Sequence, residues 1–218
     1  MTSVPAAQGG LKLDHGLSDF HRAQRLTLLY LAELPGPSKG VWKHVIGGWS
    51  IAGITTLQSG APFTVVNGSD RNQDGWPLDR PDIGNPLAPR NSRAVLSART
   101  GPQACPTGYR DPDADACANP ADVYWLEGTG FPNASTVGRN TLLTGGTNNF
   151  DLSLFKTFPL GEGRRLEFRW EALNAFNHPQ FVEVPAQNVR DTPASRFLNR
   201  EFTNAGIRSM WLQVKLLF

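Results

Sequence analysis

The stretch NFDLSLFKTFPLGEGRRLEFRWEALNAFN, residues 149–177, decides the fold. In its second half, apolar and charged side chains alternate, which is the period of a β-strand; a helix would mix them on every face. One face carries Leu166, Phe168 and Trp170, and the other carries Glu167, Arg169 and Glu171. Residues 149–160 alternate in the same way, and the segment PLGEGR predicts a tight hairpin turn between the two strands.

The last ten residues, SMWLQVKLLF, carry the same period to the end of the chain. Their alternating apolar positions are Met210, Leu212, Val214, Leu216 and Phe218. Residues 20–33 and 49–66 are two further candidate strands with a less regular alternation. The sequence therefore predicts an all-β protein with about five long strands.

The connections between these strands alternate in length, which indicates their topology. Residues 67–148 and 178–208 form long connections, whereas 161–164 is short and 35–48 is of medium length. Outer-membrane barrels combine short periplasmic turns with long outer loops. We therefore expect an antiparallel up-and-down meander, part of a large transmembrane β-barrel, with 67–148 and 178–208 as extracellular loops.

A soluble β-sandwich is the alternative fold, because its solvent-exposed face would explain the charged strand positions equally well. A connection of about 80 residues without predicted structure is unusual in a compact domain and favours the barrel. In the barrel, Leu166, Phe168 and Trp170 would face lipid, and Glu167, Arg169 and Glu171 would face the lumen.

Composition excludes several other classes of protein. Hydrophobic residues make up 39% of the chain, and no apolar run approaches the ~20 residues that a membrane-spanning helix needs. The net charge of +2 is small, and basic residues do not cluster, so we expect no nucleic-acid partner. Residues 1–17 lack the features of a signal peptide and are expected to be an irregular N-terminal segment.

Four runs of the sequence are similar to one known family. The runs are SDFHRAQRLTLLYLAELP, GGWSIAGITTLQSGAPFTVV, DRNQDGWPLDRPD and GRNTLLTGGTNNFDLSLFKTFPLGEGRRLEFRWEALNAFNHPQF. They resemble the C-terminal end of Oar-like TonB-dependent transporters. The resemblance extends over residues 18–218, and its most specific parts are FDLSLFKTF and EALNAFNHPQF. It implies a barrel of roughly 22 strands with an N-terminal plug, in the outer membrane of a Gram-negative-type bacterium.

The resemblance also implies what the chain would contribute. Residues 1–17 are too short for a plug or a TonB box, and five strands cannot close a barrel, for which ~8 is the working minimum. We therefore expect a C-terminal fragment that supplies barrel wall, outer loops and, at Phe218, the signal for the barrel-assembly machinery. The implied partners are this machinery, outer-membrane lipid and, through the missing N-terminal part, the TonB complex.

One loop carries a possible metal site. Asp70, Asn72, Asp74 and Gly75 match the start of a calcium loop, and Asp79 or Asp82 could complete the oxygen ligands. Pro81 stands where an EF-hand needs its bidentate Glu, so a full EF-hand is excluded. Bound Ca²⁺ would order an extracellular loop, and the alternative is an Asx-rich turn without metal.

The cysteines and histidines do not form a pattern that predicts catalysis. Cys105 and Cys117 lie in a polar loop without a nearby histidine, which favours a disulfide in an oxidising compartment over a zinc site. The four histidines are scattered and sit near no candidate nucleophile, so we expect no enzyme and no catalytic residue. The alternative function is a secreted β-sheet binding module with a Ca²⁺-ordered loop and a disulfide.

Overall fold

The computed structural model describes residues 11–37, 39–71, 73, 75, 77–90, 92–98, 100–102, 104–128, 136–179, 186–189 and 206–218. Its elements are, in chain order, α1 (Leu11–Asp14), β1 (Arg25–Glu33), α2 (Val41–Val45), β2 (Trp49–Gln58), β3 (Pro62–Val66), β4 (Asp82–Ile83), β5 (Leu96–Ser97), β6 (Tyr109–Asp111), β7 (Ala116–Cys117), β8 (Trp125–Leu126), β9 (Leu142–Leu143), β10 (Thr147–Gly161), β11 (Arg164–Leu173), β12 (Ala186–Asn188) and β13 (Ser209–Leu217). Within these described ranges, no helix is long and apolar enough to cross a membrane.

The chain forms two compact units. The sheet unit consists of Ala23–Ser59, Gly146–Phe181 and Thr203–Phe218. The loop unit consists of Met1–Arg22, Gly60–Gly145 and Val182–Phe202.

The sheet unit is a single antiparallel sheet of five strands in the order β1-β2-β10-β11-β13. Each strand pairs with the next of these five strands along the chain, which is an up-and-down meander. The predicted all-β meander is thus confirmed, and the sheet is open, with β1 and β13 at its two edges.

The sheet unit has one short connection and one of medium length. Glu162 and Gly163 link β10 to β11 with φ angles of 52° and 80°, the two positive values of a type I′ hairpin turn. Glycine adopts such angles at no steric cost, and this explains the tight turn predicted from PLGEGR. The connection between β1 and β2 contains the five-residue helix α2.

The predicted strand 49–66 is wrong in its length. β2 ends at Gln58, and β3 belongs to the loop unit, where it pairs with β9 and β12. The break falls at Gly60, where an added Cβ would lie 1.9 Å from the carbonyl oxygen of Thr144. This close backbone approach requires glycine, and the following Pro62 cannot donate to a ladder.

Residues 67–148, expected to be a connection without structure, largely belong to the loop unit. They contribute the two-stranded pair β4-β8 and the three-stranded sheet β5-β6-β7. The main core of the unit consists of Phe63, Val65, Ala94, Tyr124, Trp125, Val137 and Val189. The strands within 67–148 have only two or three residues each, too short for a visible period, so the alternation of the sequence did not reveal them.

Residues 11–17 are likewise more ordered than the irregular segment predicted for 1–17, of which 1–10 lie outside the described residues. Leu11–Asp14 forms one helical turn. The backbone oxygen of Leu13 accepts hydrogen bonds from the buried Arg80 at 2.8 Å and from the amide of Arg139 at 2.9 Å. The order therefore comes from partners distant in sequence.

One cross-strand contact in the sheet unit gives a testable prediction. Tyr30 pairs with Gly53, and a Cβ at Gly53 would lie 2.5–2.7 Å from the hydroxyl oxygen of Tyr30 and the two nearest ring carbons. We expect Gly53→Val to displace this ring and to lower the free energy of unfolding by about 1–3 kcal/mol. Urea unfolding measures the effect, with Ala52→Val as the matched control on the opposite face. Equal midpoints for the two variants would contradict the expected clash.

Candidate functional site

The strand register places most of the apolar side chains of the sheet unit on one face, which we call the apolar face. Leu154 pairs with Ile51 on one side and with Trp170 on the other, and Trp170 pairs with Leu212. The predicted lipid-facing residues Leu166, Phe168 and Trp170 all lie on this face. Its strongly exposed members include Leu26, Leu28, Met210, Leu212, Val214 and Leu216. Such a continuous exposed apolar surface suits contact with hydrocarbon rather than water.

The terminal strand β13 continues the apolar face at an edge of the sheet. Its residues Met210, Leu212, Val214 and Leu216 pair with the apolar set of β11. Phe218 follows β13 directly, and its side chain is 92% exposed. The predicted assembly signal is therefore presented on an edge strand whose second edge has no partner among the described residues.

The opposite face of the sheet carries most of the polar side chains, together with the exposed Leu29 and Leu31, and we call it the polar face. Glu167, Arg169 and Glu171 share it at every second position of β11. The Arg169 guanidinium lies 3.6 Å from the carboxylate of Glu167 and 3.5 Å from that of Glu171. These side chains are partly exposed, so each ion pair contributes only about 0–1 kcal/mol. Their role as a lumen-facing charge ladder stays a prediction.

The turn after β11 is held by polar side chains that the alternation along the strands does not predict. Asn174 is buried, and its amide nitrogen donates to the backbone oxygens of His178, at 2.7 Å, and of Gly206. Its side-chain oxygen accepts from the amide of His178 at 2.9 Å. Asn174 and Asn177 have φ angles of 47° and 54°, which asparagine tolerates better than most residues. Two asparagines three positions apart in LNAFNH are the signal that could have predicted this turn.

Asn174→Ala is expected to destabilise the sheet unit by about 2–3 kcal/mol, because it leaves buried backbone groups without partners. Asn177→Ala is the matched control: Asn177 also has a positive φ angle, but it is exposed and accepts a bond from Arg208 at 3.1 Å. The control should lose about 1 kcal/mol or less. Urea unfolding of both variants measures the difference, and equal losses would show that the buried hydrogen bonds are not what holds the turn.

The proposed calcium loop is only partly within the described residues, because Asn72 and Asp74 lie outside them. Asp70 accepts a hydrogen bond from the amide of Gly75 at 2.9 Å. Asp79 is buried and accepts from the amide of Arg71 at 2.5 Å, and Asp82 accepts from the amide of Thr136 at 2.9 Å. Over the part of the chain that the structure describes, no three acidic, histidine or cysteine side chains cluster as a metal site. Calcium binding by this loop stays a prediction.

The two cysteines are joined in the loop unit. Cys105 and Cys117 form a disulfide with their Cα atoms 5.4 Å apart. Next to it, Arg110 and Asp115 form an exposed ion pair at 2.5 Å. The acidic loop that precedes Cys117 thus engages a basic side chain of its own unit.

Two charged residues of the loop unit have shifted pKa values. A hydrogen bond from Asn140 lowers the pKa of Asp19. Burial of the carboxyl opposes this shift, and the neighbouring Arg139 adds to it. Burial lowers the pKa of Arg80, and the neighbouring carboxylate of Asp14 opposes this shift. Both residues join the segment 11–19 to the rest of the unit, through Leu13 and Asp14 for Arg80 and through Asn140 and Arg139 for Asp19.

Comparison with known proteins agrees with this geometry. The chain matches the family model described as "Outer membrane beta barrel domain" over residues 2–207. No curated protein and no solved structure matches the chain. The match extends over nearly the whole chain and ends just before β13, and the antiparallel sheet with one apolar face is compatible with a barrel wall. The chain therefore belongs to the outer membrane beta barrel domain family, which places the protein in the outer membrane.

Proposed function

We propose that the chain forms the C-terminal part of a TonB-dependent transporter of the Oar-like type. In this function it contributes five strands of the barrel wall, outer loops and the signal for assembly. The parent protein would move a bulky substrate across the outer membrane, with energy supplied through TonB.

The five-stranded meander with its apolar face is the observation that carries the proposal. Its connections alternate between longer ones and shorter ones: those after β2 and β11 are long, the one after β1 is of medium length and the one after β10 is short. This alternation fits strands that pass repeatedly through a membrane. An open sheet would leave backbone groups of β1 and β13 without partners in lipid, at a cost of several kcal/mol each. We therefore propose that further strands complete the barrel on both edges.

The loop unit is the part that we propose for substrate binding. It collects most of the long connection between β2 and β10 and has its own buried core and a disulfide. A rigid unit of this kind loses less conformational entropy on binding than an unstructured loop. Transport would then follow from displacement of the plug that the resemblance implies.

TonB dependence is tested with the chromosomally encoded protein, purified in detergent from outer membranes. We expect saturable binding of the purified periplasmic domain of TonB to this protein. Heat-modifiable migration on a gel serves as the control that the barrel is folded. A folded barrel that fails to bind the TonB domain would refute TonB-dependent transport and leave the outer-membrane location intact.

Deletion of Phe218 tests the proposed assembly signal. If the exposed terminal ring is read by the assembly machinery, the variant should give several-fold less folded protein in the outer membrane, without any change of the sheet itself. In a second variant, Leu217 and Phe218 are deleted and a new Phe is added after Leu216. This variant again ends on an aromatic ring, but the ring lies on the polar face, so the yield of folded protein should also fall. Normal yield after deletion of Phe218 alone would contradict the role of this residue.

A further inference from the structure

The helix α2 carries its apolar residues on one side and exposes them. At 100° per residue, Val41, Trp42, Val45 and the C-cap residue Ile46 fall within an arc of about 140°, and Lys43 and His44 occupy the other side. All four apolar side chains are more than half exposed, at 77%, 64%, 55% and 51%. A soluble protein would turn such an arc inward, so its outward position needs a partner.

The helix is fixed to the apolar face of the sheet by its C-terminal carbonyl groups. Lys156 lies on that face, yet it is only 4% exposed, and its ammonium donates to the backbone oxygens of His44 at 2.8 Å and Val45 at 3.1 Å. The indole of Trp49 also donates to the oxygen of Val45 at 3.0 Å. Carbonyl groups at a helix C-terminus carry partial negative charge and suit a cation. These hydrogen bonds stabilise the Lys156 ammonium, which would otherwise be an unpaired charge in contact with hydrocarbon.

Aromatic rings surround this attachment. The Lys156 ammonium lies 5.4 Å from the ring centre of Trp49 and 4.7 Å from that of Phe158. Trp49 in turn packs edge-on against Phe168, with the ring centres 5.7 Å apart. Aromatic side chains with a nearby cation are typical of the zone where acyl chains meet head groups. α2 therefore continues the apolar face at the end of the sheet that also carries the β10–β11 turn, which we call the short-connection rim.

We propose that α2 lies in the interfacial zone of the membrane leaflet at the short-connection rim and inserts its apolar arc among phospholipid chains. Short turns of outer-membrane barrels are periplasmic, so this leaflet is the inner one. Lys43, on the opposite side of the helix, points to the head groups and water. The helix would fix the depth of the sheet in the membrane. This inference rests on the outer-membrane location and is independent of what the barrel transports.

Spin labels on single cysteines test the position of the helix. Both native cysteines are in the disulfide, so an introduced thiol can be labelled selectively without reductant. The intact outer-membrane protein is reconstituted in vesicles of phosphatidylethanolamine and phosphatidylglycerol. Labels are placed at Val45→Cys in the apolar arc and at Lys43→Cys on the opposite side, with Trp42→Cys as a second variant if Val45→Cys fails to fold. A label at Leu154→Cys provides the reference for the apolar face.

Accessibility to oxygen and to a water-soluble nickel chelate is measured for each label. We expect the ratio of oxygen to nickel accessibility to be several-fold higher at position 45 than at position 43. A label at 45 that is open to nickel would show that the arc faces water, and one shielded from both reagents would show that protein covers it. Either result overturns the inference. If the reference label at 154 also reports water, the membrane placement of the sheet fails as well.

Discussion

Leu154→Arg is expected to destabilise the barrel in a bilayer by about 2–4 kcal/mol, the usual cost of a cation on the lipid side near the middle of a membrane. Leu154 lies in the central strand of the sheet, halfway along β10, and is flanked on the apolar face by Ile51 and Trp170. An arginine at this position cannot reach the head groups without tilting or distorting the strand. Urea unfolding in lipid vesicles measures the loss as a shift of the midpoint.

Ser153→Arg is the matched control, because it adds the same charge one residue earlier, on the polar face. Ser153 pairs with Glu171, so the new guanidinium would have a carboxylate beside it. We expect a change within about 0.5 kcal/mol, as for most surface substitutions. Equal losses for the two variants would contradict the assignment of the apolar face to lipid and would favour a sheet in water.

Arg80→Met is expected to lower the stability of the loop unit by about 3–5 kcal/mol, the usual cost of removing one partner of a buried ion pair. The Arg80 side chain is fully buried; it contacts the Asp14 carboxylate and donates to the oxygens of Leu13 and Val137 at 2.8 Å and 3.3 Å. Methionine fills similar space but donates nothing, so these acceptors would lose their partner. Hydrogen exchange of the amides in β3 and β8 measures the loss.

Arg110→Met provides the comparison for Arg80→Met. Arg110 pairs with Asp115, whose side chain is 78% exposed, so its ion pair is worth no more than about 1 kcal/mol. The substitution removes the same charge from the same unit. If both variants showed the same exchange rates in β3 and β8, the buried arginine would not hold the unit together.

The sheet unit could be predicted from the sequence because each of its strands is long enough to show a period of two. Leu166, Phe168 and Trp170 lie on one face of β11 by geometry alone, whatever the strand pairs with. The turn at Glu162 and Gly163 is equally local, since it depends on the φ angles of two neighbouring residues. These features need no knowledge of distant contacts.

The loop unit and the position of α2 could not be predicted because distant residues determine them. β2 ends at Gln58 because Gly60 meets the backbone at Thr144, a contact across most of the loop unit. Likewise, Lys156 interrupts the alternating apolar side chains of β10, and no neighbouring residue in the sequence explains this lysine. Its ammonium bonds to the backbone oxygens of His44 and Val45, which are more than 100 residues away in the chain. The alternation of apolar and polar residues along the chain does not predict such contacts between distant residues.

The pairing of β3 with β9 has a consequence for the order in which the protein folds. Gln58 and Thr147 must pair in the sheet although residues 59–146 separate them, and closing so long a chain is entropically unfavourable. Within the loop unit, however, Ala61 and Thr144 exchange hydrogen bonds of 2.8 Å and 2.9 Å. Once this pair forms, β2 and β10 meet almost as neighbours in a hairpin, which reduces the closure cost by about 2 kcal/mol. The loop unit would thus fold first and act as a template for the central strand pair of the membrane sheet.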